Sequence, residues 1–370
     1  MSKIIPIVMP KWGLAMKEGK LAGWLVQEGA SISPGQEIME VETDKIANVV
    51  EAQETGTLRR RVGEADKVYP VKTLLGVIAD ANVSDAEIDA FVAGFPVPAA
   101  NADEADEGPK YHFAEVGRDR IRYAVRGERG PNVILIHGFG GDLDNWLFNI
   151  DALGETATVY ALDLPGHGQS TKSIAEASLA GLADTVIGFM DALKIDTAHL
   201  VGHSMGAAIA VRIAEMAKGR ALSLGLVAPA GLGPEINGDY ITGFVKGTSR
   251  RDMRPVLELL FANAELVSRQ LIEDVLKFKR IDGVDAALGK LGEALFGGAK
   301  QTDSVAAAAK ASGLPITVVF GKEDRIIPPV HAEALAGTAT IEVIDGAGHM
   351  PMMEAAKRVN ELLAAAWTGG

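Results

Sequence analysis

The order of apolar and polar positions changes character twice along the chain. Up to residue 80 the apolar positions come in short runs, IIPIVMP, GKLAGWLV, QEIMEVE and TLLGVIA, broken by Gly, Pro and charged residues. That spacing predicts a small all-β unit. The runs also repeat. Laying Gly19 over Gly56 sets Leu21 on Leu58 and Leu25 on Val62, and with one deletion Ile32 falls on Val68, Ile38 on Leu74 and Val41 on Val77. Two similar halves predict two small sheets related by a pseudo-twofold axis. From 111 to 370, runs of buried-strand length (VILIHG, TVYALDL, AHLVGHS, LGLVAP, PITVVFG, TIEVID) alternate with helical stretches such as Leu182 to Leu193 and Met205 to Ala217. This alternation predicts a doubly wound, mostly parallel α/β sheet. Between Gly231 and about Gly298 the strand-like runs stop, which predicts a helical cap over about 232–298 inserted at one edge of the sheet.

Between the two patterns lies DANVSDAEIDAFVAGFPVPAANADEADEGPK, with eight acidic side chains against one lysine. Its second half is alanine- and proline-rich without periodicity, so 81–110 reads as an extended acidic linker spanning roughly 30 Å r.m.s. if flexible. The chain is thus expected to be multidomain: 1–80, the linker 81–110, and 111–370.

Composition narrows the chemistry. A chain of 370 residues, 48% hydrophobic, can bury a large core in more than one domain. Its net charge of −13 argues against nucleic acid or an anionic membrane as partner. There is no cysteine, so disulfides, zinc thiolates and a thiol nucleophile are excluded and any thiol must be brought in. The sequence MSKIIPIVMPKWG offers no signal-peptide pattern, no later run reaches membrane-spanning length, and a cytoplasmic location is expected. No metal-ligand set is read in the chain.

In AHLVGHSMGAAIAV an apolar strand ends at Gly202, Ser204 stands between Gly202 and Gly206, and an alanine-rich helix follows. This is a nucleophile elbow, G-x-S-x-G, in strand-to-helix context. A serine needs a base that is itself oriented by a carboxylate. Of the histidines after Ser204, His331 and His349, the second lies in VIDGAGHMPMME between the last strand and the last helix, and it is the candidate base. Asp324 in VVFGKEDRIIP is the candidate acid, with Glu323 its rival. Oxyanion donors are expected from the Met205 N–H and, in the loop HGFGGD, the Phe139 N–H. His137 and His167 read as structural hydrogen-bonders. The succession HGFGG, DLPGHGQS, GHSMG, GKEDRIIP and GAGHMPMME resembles the α/β-hydrolase superfamily over nearly all of 111–370. That resemblance fixes fold and triad and says little about substrate.

One motif belongs to the other pattern. Glu42-Thr43-Asp44-Lys45 sits at the midpoint of the internal repeat, between QEIMEV and IANVV, where a hairpin tip would protrude. With MPKWGLAM and GWLVQEGASISPGQEI, it resembles the lipoyl (biotinyl-like) domains of 2-oxo-acid-type dehydrogenase complexes. These are flattened all-β barrels in which the matching lysine, here Lys45, carries lipoic acid in amide linkage. Biotin is disfavoured because biotinyl lysines usually stand between methionines, and Lys45 has Asp44 and Ile46.

A lipoyl domain fused to an α/β-hydrolase resembles the acetyltransferase components of bacterial acetoin-cleaving dehydrogenase systems. The resemblance implies acetyl transfer from lipoyl-Lys45 to coenzyme A. It also implies two partners, a thiamine-diphosphate-dependent acetoin dehydrogenase component and a dihydrolipoamide dehydrogenase. The chain departs from ordinary acyltransferase components, whose H-x-x-x-D-G motif is nearest matched by Phe278 to Gly283, with phenylalanine for histidine, and no basic subunit-binding module is evident between 80 and 110. A lipoyl-tethered serine hydrolase and a non-catalytic acyl-carrier or scaffold subunit are the alternative readings.

Overall fold

The computed structural model describes residues 3–12, 16–43, 47–96 and 111–369. The chain divides into two units, Met1–Gly108 and Pro109–Gly370. Lys45 and residues 97–110 of the expected linker lie outside the described residues.

The first unit contains β1 (Ile4–Val8), β2 (Glu18–Trp24), β3 (Ser31–Ile32), β4 (Glu37–Glu42), β5 (Ala47–Glu51), β6 (Gly56–Arg61), β7 (Lys67–Pro70) and β8 (Leu74–Ala79). They form two four-stranded sheets, β1-β8-β6-β3 and β5-β4-β2-β7. Advancing every label of the first order by half the set produces the second, as a pseudo-twofold requires. Leu21 pairs with Val41 as Leu58 pairs with Ile78, and Ile32 lies opposite Gly56 as Tyr69 lies opposite Gly19. Leu21 to Leu58, Val41 to Ile78 and Ile32 to Tyr69 are each 37 positions apart.

The deletion expected in the repeat is therefore absent, and the true equivalents of Ile32, Ile38 and Val41 are Tyr69, Leu75 and Ile78, each one residue on. The cause is burial of β8 on both faces. Leu75 and Ile78 join Leu21, Ile32, Val41 and Leu58 in the core shared by the two sheets. Leu74, Val77 and Ala79 belong to a second cluster with Ile88. A strand apolar on both faces has no alternation, so a one-residue slip leaves no mark in its sequence.

Ile88 belongs to a helix, Asp85–Gly94, inside the range expected as linker. The helix starts with a capping box in which Ser84 and Glu87 satisfy each other's backbone N–H groups. Ile88 is fully buried, with Phe91, Val92 and Phe95 packed against the same cluster. Burying Ile88 alone is worth about 1.5–3 kcal/mol. Arg59 fastens the helix start, donating to the carbonyls of Asp80 and Val83 and pairing with Asp85 at 2.9 Å. Charge dominates the composition of this stretch and hid its single apolar face.

The second unit is built on β9 (His112–Val116), β10 (Asp119–Arg126), β11 (Asn132–Ile136), β12 (Thr158–Leu162), β13 (Ala198–His203), β14 (Ala221–Val227), β15 (Ile316–Gly321) and β16 (Thr340–Ile344). Their order is β16-β15-β14-β13-β11-β12-β10-β9. β11 to β16 pair in parallel, while β10 runs antiparallel to β12 and β9. The two antiparallel strands were not read from the sequence, because DRIRYAVR mixes arginines with apolar residues and gives no buried-strand run.

β12 and β13 flank β11 on opposite sides, so the chain reverses its direction of travel across the sheet there. The carboxyl ends of β11 and β13 frame the crevice where such a sheet binds ligands. Between β14 and β15 the chain forms helices, including Gly238–Lys246, Arg250–Leu257, Arg269–Lys279 and Val284–Phe296. Phe244 and Phe296 from two of them stand edge-on to Phe139, with ring centroids 5.9 and 5.8 Å away. Phe278, in the H-x-x-x-D-G-like stretch, stacks on His167 at 6.5 Å and ends a cap helix. No helix among the described residues is long and apolar enough to cross a membrane.

Candidate active site

Each chemically active side chain sits just beyond the carboxyl end of a parallel strand. Ser204 follows β13 with φ 52° and ψ −116°, a strained backbone for a residue with a Cβ. The turn closes only because its neighbours lack side chains. A Cβ on Gly202 would lie 2.2 Å from the Gly206 carbonyl oxygen, and one on Gly206 would lie 2.2 Å from that of Ile136. The helix Met205–Met216 then leaves with Ala207, Ala208 and Ala210 buried against the sheet.

Asp324 follows β15 and His349 follows β16. His349 Nδ1 and Asp324 Oδ2 are 2.8 Å apart, with the aspartate side chain fully buried and the imidazole 2% exposed. The other oxygen, Oδ1, accepts from the N–H groups of Ile326 and Ile327 at 2.8 and 2.9 Å. Asp324 is thus locked in an acceptor role, and His349 Nδ1 must carry the proton, leaving Nε2 for the base function. Glu323 points elsewhere. It is exposed, and its carboxylate accepts from Gly346 N–H at 2.9 Å. His331 pairs with Glu235 at 2.7 Å. Ser204 Oγ and His349 are not joined by a hydrogen bond among the described residues; such contacts commonly tighten only with substrate in place.

The loop after β11 is fixed by two histidines with both ring nitrogens occupied. His137 Nδ1–H donates to the Gly138 carbonyl at 2.7 Å and its Nε2 accepts from Leu164 N–H at 3.0 Å. His167 Nδ1–H donates to the Pro165 carbonyl and its Nε2 accepts from Gly140 N–H at 3.1 Å. Burial pushes His137 down to about 4 and His167 down to about 3, so both rings are neutral spacers. Buried Asp163 completes the frame. It takes Arg122 Nε at 2.6 Å, Leu143 N–H at 2.9 Å and Gln169 N–H at 2.7 Å. The loop so held presents Phe139, whose N–H, like that of Met205 at the first turn of its helix, bonds to no protein acceptor among the described residues. These are two donors available to an oxyanion.

Three contributors were not read from the sequence: Asp163, His203 and Glu354. His203 Nε2–H donates to the His349 carbonyl at 2.8 Å. Glu354 accepts from Gly348 N–H at 2.7 Å. The one signal available was a lone carboxylate after the apolar PMM of GAGHMPMME. Beside the elbow, a small pocket is lined by Leu179, Met205, Ala208, Leu295 and Phe296, with Gln301 and Asp303 adding polar groups to its wall.

In the first unit, Glu42 of β4 pairs with Ala47 of β5. β4 and β5 are thus antiparallel neighbours in one sheet, and the Lys45 expected between them lies outside the described residues.

Comparison with known proteins matches residues 133–362 to the alpha/beta hydrolase family and residues 5–78 to the family described as biotin-requiring enzyme. The dihydrolipoyllysine-residue acetyltransferase component of the acetoin cleaving system of Cupriavidus necator is 54% identical over 97% of this chain and 96% of its own. The chain belongs to this family. Its counterpart in Pseudomonas putida is 46% identical over 99% of both chains. This family of acetyltransferase components thus combines a lipoyl-type unit with an α/β-hydrolase unit. A meta-cleavage product hydrolase from Pseudomonas fluorescens shares the fold of the second unit, at TM-score 0.64 and 24% identity over 70% of this chain and 97% of that one.

Proposed function

We propose that the chain moves an acetyl group from a lipoyl group on Lys45 to coenzyme A during acetoin breakdown, through Ser204, His349 and Asp324. The observation that carries this reading is the oriented Asp324–His349 pair, 2.8 Å apart, beside a strained serine elbow. When bound, the lipoyl group supplies the acetyl as a thioester. His349 Nε2 takes the proton of Ser204 Oγ as that oxygen bonds to the carbonyl carbon, and the N–H groups of Phe139 and Met205 receive the oxyanion. The proton passes from His349 to the departing sulfur, leaving acetyl-Ser204. The coenzyme A thiol then gives its proton to His349 and attacks the ester, and Ser204 Oγ leaves with that proton restored.

Burial favours transfer over hydrolysis. Ser204 is 6% exposed and His349 2%, under a cap whose Phe244 and Phe296 cover the oxyanion loop. Excluding water protects an acyl-enzyme for a bound thiol. The protein acts within the cytoplasm as one component of a multienzyme system, with a thiamine-diphosphate-dependent acetoin dehydrogenase and a dihydrolipoamide dehydrogenase as partners. The test is product identification after incubation with S-acetyl-dihydrolipoamide. Acetyl-coenzyme A formed faster than acetate supports the proposal, and acetate at a rate indifferent to coenzyme A makes the chain a tethered hydrolase.

A further inference from the structure

The loop bearing His349 is pinned from several sides, and one of its fasteners also grips the cap. Glu354, at the end of the short helix Pro351–Glu354, divides its carboxylate. Oε2 accepts from Gly348 N–H at 2.7 Å, and Oε1 accepts from Ala262 N–H at 2.8 Å. Ala262 lies in the cap between the helices Arg250–Leu257 and Arg269–Lys279. The two backbones approach closely, since a Cβ on Gly348 would stand 2.6 Å from Ala262 N. Arg325, beside Asp324, donates to the carbonyls of Glu258 and Phe261, the latter at 2.6 Å. A single cap corner, 258–263, is therefore fastened to both the acid loop and the base loop.

We infer that Glu354 is a positioning residue that couples closure of the cap to alignment of His349. The inference rests on reading His349 as the base. With the corner in place, the carboxylate bridges two N–H groups and holds Gly348, one residue before His349. With the corner displaced, it keeps only one of these two partners and the imidazole loses a support.

The coupling has a distinctive pH signature. Burial pushes the Glu354 carboxyl up to about 7, against the N–H groups of Gly348, Ala262 and Asn263, and the charge of Glu323 adds to the push. Other ionisable groups on the surrounding elements include Asp324 and Arg325 on the acid loop, Asp345 and His349 on the base loop, His203 on the elbow and Glu258 on the cap corner; the cap groups bonded to the carboxylate are backbone N–H. Only the ionised carboxylate accepts from both sides, so alignment is lost as pH falls through about 7. Stability runs oppositely. A folded value raised above the ordinary 4.5 gives a contribution present below 4.5 and lost as pH rises through about 7. A group that merely held the fold would move activity and stability together.

The test compares pH profiles of model-ester turnover and unfolding midpoints for the full-length parent, Glu354→Gln, Ala262→Pro and His349→Ala. Ala262→Pro deletes the cap-side N–H, and Phe261 at φ −116°, ψ 146° suits the position before proline. In the parent the acid limb of kcat should be steeper than in Glu354→Gln by about one proton, the one taken up by Glu354. Glu354→Gln and Ala262→Pro should lose about tenfold to a hundredfold in kcat at pH 8, with the Glu354→Gln unfolding midpoint unchanged or raised there. Parental kcat in Glu354→Gln with the parental limb, or parental kcat in Ala262→Pro, overturns the inference. If Glu354→Gln does not fold, Ala262→Pro decides alone. Parental turnover in His349→Ala would remove the base reading and this inference together, whereas a dead His349→Ala beside an intact Glu354→Gln sinks the inference only.

Discussion

His203 Nε2–H donates to the backbone carbonyl of His349 at 2.8 Å, tying the residue beside the nucleophile to the residue that carries the base. The rings lie 4.8 Å apart, and burial keeps His203 well below the ordinary histidine range and therefore neutral. A neutral ring with its proton on Nε2 is the form this bond needs. His203→Ala strands the His349 carbonyl without a donor, at a cost of about 1–3 kcal/mol. Thermal unfolding and model-ester kinetics should show lowered stability and lowered kcat, with His203→Gln, which keeps an N–H donor, intermediate in both.

Asp324→Asn should lower turnover of a model ester about 10⁴-fold. Glu323→Gln should stay within a few-fold of the parent, since its carboxylate bonds to the Gly346 N–H and not to His349. The reverse ranking would transfer the acid role to Glu323.

Gly206→Ala drives a Cβ to 2.2 Å from the Ile136 carbonyl oxygen, which is strand backbone and cannot give way. A loss of more than about 4 kcal/mol is expected, seen as failure of the second unit to fold cooperatively in calorimetry.

Neutral buried His137 and His167 make stability depend on pH. Their folded values, about 4 and about 3, lie below the ordinary 6.5, so the unfolded chain takes up protons first as the solution is acidified. Their contribution is complete above 6.5 and is lost as pH falls toward 4, on the order of 3 kcal/mol for His137 alone. Glu354 acts in the opposite direction over a similar range, so the net slope is smaller than the histidine sum. Urea midpoints of the second unit should rise from pH 5 to pH 7.

Ile88→Ala should destabilise the first unit by about 2–5 kcal/mol, because Ile88 is fully buried against Leu74 and Val77. Separate calorimetric transitions of the full chain would show the first lowered and the second unmoved. An unchanged first transition would return the 85–94 helix to the linker.

The legibility of the sequence followed the locality of each constraint. The elbow was legible because Gly202, Ser204 and Gly206 answer to contacts within one turn, and the parallel strands because burial on both faces leaves continuous apolar runs. The same double burial erased the register of β8. Ser84-to-Phe95 was read as part of a charged linker because one apolar stripe, Ile88 with Phe91, Val92 and Phe95, is diluted by Asp85, Glu87 and Asp89. His203, Asp163 and Glu354 were missed for another reason. The long-range partners of His203 and Glu354 are backbone groups, 146 residues away for His203 and 92 for the Glu354–Ala262 bond, which leave no residue type to recognise, and Asp163 is paired with Arg122 across 41 residues.

The central claim, transfer through Ser204, is tested most directly by one measurement on full-length lipoylated protein: the rate of acetyl-coenzyme A formation in the parent and in Ser204→Ala, with arm acetylation by the thiamine-diphosphate-dependent component monitored in parallel. Arm acetylation should be unchanged, while acetyl-coenzyme A formation should fall at least about 10³-fold. Acetyl-coenzyme A formed at the parental rate by Ser204→Ala would contradict the account.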